Sequence, residues 1–194
     1  MTENPIKQYP NIACCGLDCV LCPNYQSTAA SKCPGCMAKY FHLKHPSCGI
    51  ATCCVKKHSY ETCAQCPDMP CDKLKGWDLG DSFISHKQAL HNLAFIKKQG
   101  LASFLDAQKK RQDLLETLLS EFNDGRAKSF YCLAAALLPM PSIEFLLNEC
   151  AADDQQGDIK DKARNMKKKI EDLGKKEKVR SEERRVGKEC RSRW

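Results

Sequence analysis

CCGLDCVLC, residues 14–22, and CAQCPDMPC, residues 63–71, bracket the stretch whose reading decides how this chain folds. Between them lie CPGC (33–36) and CGIATCC (48–54), so twelve of the fifteen cysteines fall between Cys14 and Cys71. A Cys-x-x-Cys pair places two sulfurs within reach of one tetrahedral cation, and the spacing recurs at Cys19/Cys22, Cys33/Cys36 and Cys63/Cys66. Thiolates repeated at such intervals read as a module built around a soft or borderline metal ion. Neighbouring glycines and prolines suit the tight turns that these pairs require.

Counting one residue from each doubled cysteine gives ten framework positions: Cys15, Cys19, Cys22, Cys33, Cys36, Cys48, Cys53, Cys63, Cys66 and Cys71. Two four-cysteine sites use eight of them. The simplest partition groups Cys19, Cys22, Cys33 and Cys36, and separately Cys48, Cys53, Cys63 and Cys66. A cross-braced arrangement is equally compatible with the spacing, and Cys15 or Cys71 can complete or replace members of either set. Cys14 and Cys54 abut framework cysteines and are expected to be small buried residues rather than ligands. His42 and His45, in YFHLKHPSC, can substitute as ligands, but thiolates are abundant enough to make them secondary; His58 ranks lower still. Cys132 and Cys150 lie on apolar helical faces and read as core.

Zinc, as two ions, is the expected cofactor, because paired knuckles are its common structural signature. An iron–sulfur cluster is the alternative. Cys15, Cys19 and Cys22 have the spacing of a radical-SAM cluster loop, and Cys63, Cys66 and Cys71 resemble cluster-binding triplets. The radical-SAM reading lacks its context, since no repeating strand–helix units are present to build a partial barrel.

The start of the chain, MTENPIKQYPNIACC, has no apolar run of a secretory signal, and the longest apolar stretch, FYCLAAALLP, is too short to span a bilayer. A cytoplasmic, reducing setting is therefore expected, in which cysteines stay thiols rather than disulfides. The formal charge is +7, but residues 179–194 hold six Arg/Lys against three Glu, leaving 25 basic against 21 acidic residues in the rest. Two four-thiolate zinc sites would bring that body near neutrality, at about −2 each. Nucleic acid is thus a disfavoured partner. The tail segment SEERRVGKECRSRW is similar to a translated vector scar and is set aside from functional reasoning, with Cys190 and Trp194; a native basic tail is the alternative.

A composition break near Gly76 separates two regions. Residues 12–76 bury too little hydrocarbon to fold alone, so metal is expected to carry their stability; structural zinc is worth about 10–16 kcal/mol in small modules. Knuckles, turns and a short hairpin are expected there. Residues 81–174 read as a helical domain, and 179–194 as a disordered or non-native tail. The fold class is mainly α: an irregular cysteine-rich metal-binding module followed by a small helical bundle. Asp81 or Ser85 can cap a helix with Leu90, Leu93, Ala94 and Ile96 on one face, stopped by Gly100. A second helix covers about Leu101 to Phe122 and ends at Asn123-Asp124-Gly125. Ser129 to Leu138, apolar nearly all round, reads as a buried helix. Pro139 and Pro141 break the chain, Ser142 can cap a helix to about Cys150, and a last helix runs from about Asp158 to Leu173.

GRAKS (125–129) can offer a helix N-terminus and two cations to an anion, but a capped turn is the favoured reading. KARNMKKKIEDLGKKEK is a basic amphipathic helix, read as packing its apolar stripe and solvating its lysines. No Ser/His/Asp set, glycine-rich phosphate loop or isolated Cys/His pair forms a catalytic or cofactor-binding constellation, so a non-enzyme is favoured, and the sequence names no small-molecule substrate either way.

CGLDCVLCPNY (15–25), CPGC, CGIATC (48–53) and CAQCPDMPCDKL (63–74) resemble the prokaryotic cysteine-rich family of unknown function numbered three-seven-nine-five. SHKQALHNLAFIKKQGLASFL (85–105) is similar to the segment that follows the cysteines in that family, and NDGRAKSFYCLAAALLP (123–139) to a helical extension of some members. The resemblance implies zinc-ribbon-like knuckles with ligands among the ten framework cysteines, and no established reaction. The functional expectation is a structural metal in the service of a protein–protein or regulatory contact; an electron-transfer or redox-sensing iron–sulfur protein is the alternative.

Overall fold

The structure is a computed structural model that describes residues 6–152 and 158–177. The predicted tail at 179–194, with Cys190 and Trp194, lies outside the described residues. In chain order the elements are a 3-10 turn at Cys19–Leu21, α1 (Phe41–Lys44), α2 (Gly49–Ala51) running into a π-helical stretch at Thr52–Lys57, and 3-10 turns at Cys63–Gln65 and Trp77–Leu79. Longer helices follow: α3 (Ala89–Gln99), α4 (Leu101–Glu121), α5 (Lys128–Leu137), α6 (Met140–Ala152) and α7 (Ile159–Lys176). The fold is mainly α, as expected. Among the described residues there is no strand; the expected hairpin is reduced to an isolated bridge between Ile12 and Asp18, closing the loop that carries Cys14 and Cys15.

The helices answer to their sequence signals with local differences. Asp158 caps α7, its carboxylate accepting from the N–H groups of Lys160 and Asp161, both at 2.9 Å. Neither Asp81 nor Ser85 caps α3, which begins after Gln88. Those two residues instead bridge to each other, and the Asp81 carboxylate accepts from the His86 N–H at 3.0 Å. Pro141 does not delay α6. The helix starts at Met140, so the proline sits in the first turn, where its missing N–H has no intrahelical partner to lose.

Two compact units are present, residues 1–108 and 109–194, the division falling within α4. In the second, α7 buries Ala163, Met166 and Ile170 and leaves its lysines largely in solvent. Tyr131 is fully buried on α5 and donates its hydroxyl to the Phe122 carbonyl at 2.9 Å. Asn123 and Asp124 side chains accept from the N–H groups of Gly125, Ala127 and Arg126 ahead of α5, so GRAKS is a capped turn. Cys132 and Cys150 are buried helical residues.

In the first unit, one apolar cluster joins the cysteine-rich segment to the helices beyond Gly76. Ile12, Cys14, Phe41, Ile50, Val55 and Leu74 pack with Leu93 and Ile96 of α3 and Phe104 of α4. Two glycines make this close packing possible. Gly16, at φ +88°, lies so near α3 that a Cβ there would meet the Ala89 carbonyl oxygen at 2.2 Å and Leu93 Cγ at 2.8 Å. The Asn92 amide fixes the same loop by donating to the Gly16 carbonyl at 2.9 Å. Gly35, at φ +97°, would drive a Cβ to 2.4 Å from the Pro10 carbonyl oxygen, which already accepts from the Cys36 N–H at 2.7 Å.

Gly16→Ala should therefore destabilise the first unit by about 2–4 kcal/mol, combining positive-φ strain with a backbone clash. Gly80→Ala, where nothing lies within 4 Å of the added carbon, should stay within about 0.5 kcal/mol of the parent. Urea unfolding followed by circular dichroism separates the two.

Candidate metal centre

Hydrogen-bonded turns set the cysteines before any ligand is considered. The Cys22 N–H donates to the Cys19 carbonyl and that of Cys66 to the Cys63 carbonyl, each at 3.0 Å, so both pairs sit on 3-10 turns. Long-range bonds then bring the blocks together. The Cys63 N–H donates to the Cys14 carbonyl at 2.9 Å, and the Cys19 N–H to Asn11 at 3.1 Å. Cys48 caps α2, its sulfur accepting from the Ala51 N–H at 3.5 Å, a backbone-to-sulfur bond of the kind that orients thiolates.

Two groupings of sulfur result. In the interior, the Cys36 thiol lies 3.7 Å from the Cys14 sulfur. The Cys54 thiol donates to the Tyr60 carbonyl at 3.4 Å and lies close enough to Cys14 and Cys63 to interact with both. Toward the surface, a cleft of about 30 Å³ is ringed by Cys53, Cys54, Cys63, Cys66 and Cys71 with His58. Ile50, Met69 and Leu74 form its apolar walls. Cys54 and Cys63 belong to both groupings. Fourteen cysteines fall among the described residues, and none of them is in a disulfide.

Burial and neighbouring groups pull these thiols in opposite directions. Hydrogen bonds from Cys36 and Cys54, helped by the Lys7 ammonium, bring the Cys14 thiol down to about 4 despite its burial. Cys36 is pushed up because it gives its proton to that sulfur, Cys54 is pushed up by the nearby Cys14 and Cys63 and by burial, and Cys63 is lowered by its neighbour Cys54. Burial pushes Cys15 up to about 12 and raises Cys19. The interior therefore favours negative charge on Cys14 and a proton on Cys36.

The remaining expected ligands are placed as follows. Cys15 and Cys22 are buried, and Cys19, Cys33 and Cys48 are half-buried. Cys71 joins Cys53, Cys63 and Cys66 around the cleft. Among the described residues, no three His, Cys, Asp or Glu side chains form a ready-made ligand set. The donor chemistry nevertheless fits a thiophilic cation, since soft sulfur dominates both groupings and carboxylates line neither. His45 is occupied elsewhere, stacked on Phe41 with centroids 4.6 Å apart and its Nδ1 2.9 Å from the Pro46 carbonyl oxygen; His42 is exposed.

Three participants carry weak sequence signals. Cys14 and Cys54 are buried as expected, yet their sulfurs belong to the interior grouping. His58 stacks on Tyr60 at 5.4 Å beside the cleft. The residues between Cys54 and Tyr60 wrap a π-turn whose Ser59 has positive φ, and that turn brings His58 to the sulfurs. No helical or strand period encodes such a turn.

Residues 11–76 match the family model described as "Protein of unknown function (DUF3795)". The match coincides with the cysteine blocks and is the family they resemble; the helical segments from Trp77 onward lie outside it. No curated protein and no solved structure matches the chain.

Exposure orders thiol reactivity in the metal-free protein. Cys33, Cys53, Cys66 and Cys71, all partly accessible, should be alkylated by iodoacetamide before the buried Cys14, Cys15 and Cys54. Mass-spectrometric mapping at short times checks this; early labelling of Cys14 or Cys54 contradicts the packing.

Proposed function

We propose that this protein binds zinc through cysteine thiolates, as two ions, and that the metal holds the cysteine-rich unit in shape for a contact with another protein. The observation that carries the reading is the convergence of two sequence-distant blocks on one cleft, where Cys53, Cys63, Cys66 and Cys71 meet. A tetrahedral thiolate site cross-links such blocks much as a core would, with a stabilisation of about 10–16 kcal/mol in comparable modules. Cys15, Cys19, Cys22, Cys33, Cys36 and Cys48 supply the further donors.

The metal would supply cross-linking and charge neutralisation. The protein's own part is to hold the thiols on hydrogen-bonded turns and to shield them with Ile50, Met69 and Leu74. A reducing compartment, the cytoplasm, suits thiolates that must stay unpaired. Among the described residues no helix is long and apolar enough to cross a membrane. Tyr40, just before α1, and Leu43 on it are 57% and 66% exposed and support a protein partner over a nucleic acid.

Protein purified without oxygen should be colourless and hold about two zinc per chain; a strong chelator should then unfold the first unit and leave the helices of the second. Cys66→Ser with Cys71→Ser should lower zinc content by about one equivalent. A brown solution containing iron and acid-labile sulfide would instead identify an iron–sulfur protein.

A further inference from the structure

Cys14 stands outside the ten-donor framework, yet its sulfur lies 3.7 Å from that of Cys36, the separation of two sulfurs in contact. Both residues are buried, at 1% and 8% exposure. Backbone geometry fixes the approach. The Lys7 N–H donates to the Met37 carbonyl at 3.2 Å and the Cys36 N–H to the Pro10 carbonyl at 2.7 Å, so residues 7–10 lie against residues 36–37. Gly35 has no side chain to hold the two segments apart: a Cβ there would stand 2.4 Å from the same Pro10 oxygen. From Pro10 the chain reaches Cys14 through the loop that the Ile12–Asp18 bridge closes. The other buried cysteine outside the framework in this segment, Cys54, gives its thiol to the Tyr60 carbonyl at 3.4 Å. Geometry thus singles out one pair.

Two thiols in contact, with no disulfide between them, are one two-electron oxidation away from a covalent bond. We propose that Cys14 and Cys36 form a reversible disulfide under hydrogen peroxide, a modification that competes with metal binding for the Cys36 sulfur. Peroxide converts one thiol to a sulfenic acid and releases water. The other sulfur then attacks the sulfenic sulfur; the S–O bond breaks, and the hydroxyl departs as a second water with the attacking thiol's proton. Two thiols and one peroxide thus give one disulfide and two waters, the sulfurs losing the two electrons that peroxide gains. A small oxidant suits sulfurs this buried, because exchange with a bulky disulfide needs access that neither has. The competition rests on the zinc–thiolate reading of this unit: a sulfur in a disulfide is no longer a thiolate ligand, so Cys36 serves either the metal or Cys14. Cys14 is then a resolving thiol held beside a donor.

The test uses the full chain purified without oxygen, with hydrogen peroxide added until half of the Cys36 thiol is consumed. Remaining thiols are blocked with iodoacetamide in denaturant, and the digest is mapped by mass spectrometry without reduction while zinc content is measured alongside. In most oxidised chains the Cys36 peptide should be joined to the Cys14 peptide, and dithiothreitol should undo the link. Zinc should fall by about one equivalent per disulfide formed. Cys36 joined mainly to Cys33, or carried on to sulfinic acid while Cys14 stays a thiol, overturns the proposal. A Cys14–Cys36 link formed with zinc fully retained overturns the competition for Cys36. Cys14→Ala should keep the parent zinc content before oxidation; a deficit there makes Cys14 a ligand and overturns its resolving role. Should that variant fail to fold, the peptide map of the parent decides alone. A parent chain that holds no zinc defeats the metal–thiolate reading instead, and the same map still decides the disulfide.

Discussion

The contact between the Cys14 and Cys36 sulfurs, 3.7 Å apart in the interior of the first unit, concentrates the constraint on which the rest of that unit depends. Sulfur atoms in contact can share a proton or a cation, and either ties together segments distant in sequence. Cys14 belongs to the first block, Cys36 to the second, Cys54 to the third and Cys63 to the fourth. The backbone repeats the linkage where the Cys63 N–H meets the Cys14 carbonyl and the Cys36 N–H meets that of Pro10. Holding four blocks of irregular chain in this register costs conformational entropy that a segment so poor in large apolar residues is ill-equipped to offset by hydrocarbon burial. That imbalance is the physical argument for a metal.

Packing beyond the cysteines extends the same unit. Leu93, Ile96 and Phe104 lie in one cluster with Ile12, Cys14 and Leu74, so α3 supplies part of the hydrocarbon that the cysteine blocks lack. Gly16 sets the depth of that contact. Because its missing side chain lets the Cys14-Cys15 loop rest on Ala89 and Leu93, the buried sulfurs and the helix share one interior. Gln108 adds a polar tie of the same kind, accepting from the Asn11 amide at 2.7 Å and donating to Asp18 at 2.9 Å. The metal reading thus does not require the cysteine-rich segment to stand alone: thiolates and helix packing act on the same loop.

Helices with an uninterrupted apolar period were legible in the sequence, because that period survives folding. α4, α5 and α7 begin and end within a few residues of their signals, and Asp158 caps α7 by the bond its residue type promises. The start of α3 was not legible: Asp81 and Ser85 have good capping chemistry, but the His86 N–H and a local bridge claim them first. In the cysteine-rich segment, spacing suggests a chemistry and ten candidate donors, yet it carries no information on which sulfurs meet. That depends on positive-φ turns at Gly16, Gly35 and Ser59 and on a π-turn, none of which follows a period. Lys7 was equally silent, since a lysine near the start of a chain is ordinarily solvated and only the three-dimensional packing buries it.

X-ray absorption at the metal edge of anaerobically purified protein tests the central claim most directly, because it reads the ligand atoms themselves. The account predicts zinc with a first shell of sulfur at about 2.3 Å. A first shell dominated by nitrogen or oxygen, or an iron edge with iron–iron scattering, would contradict it.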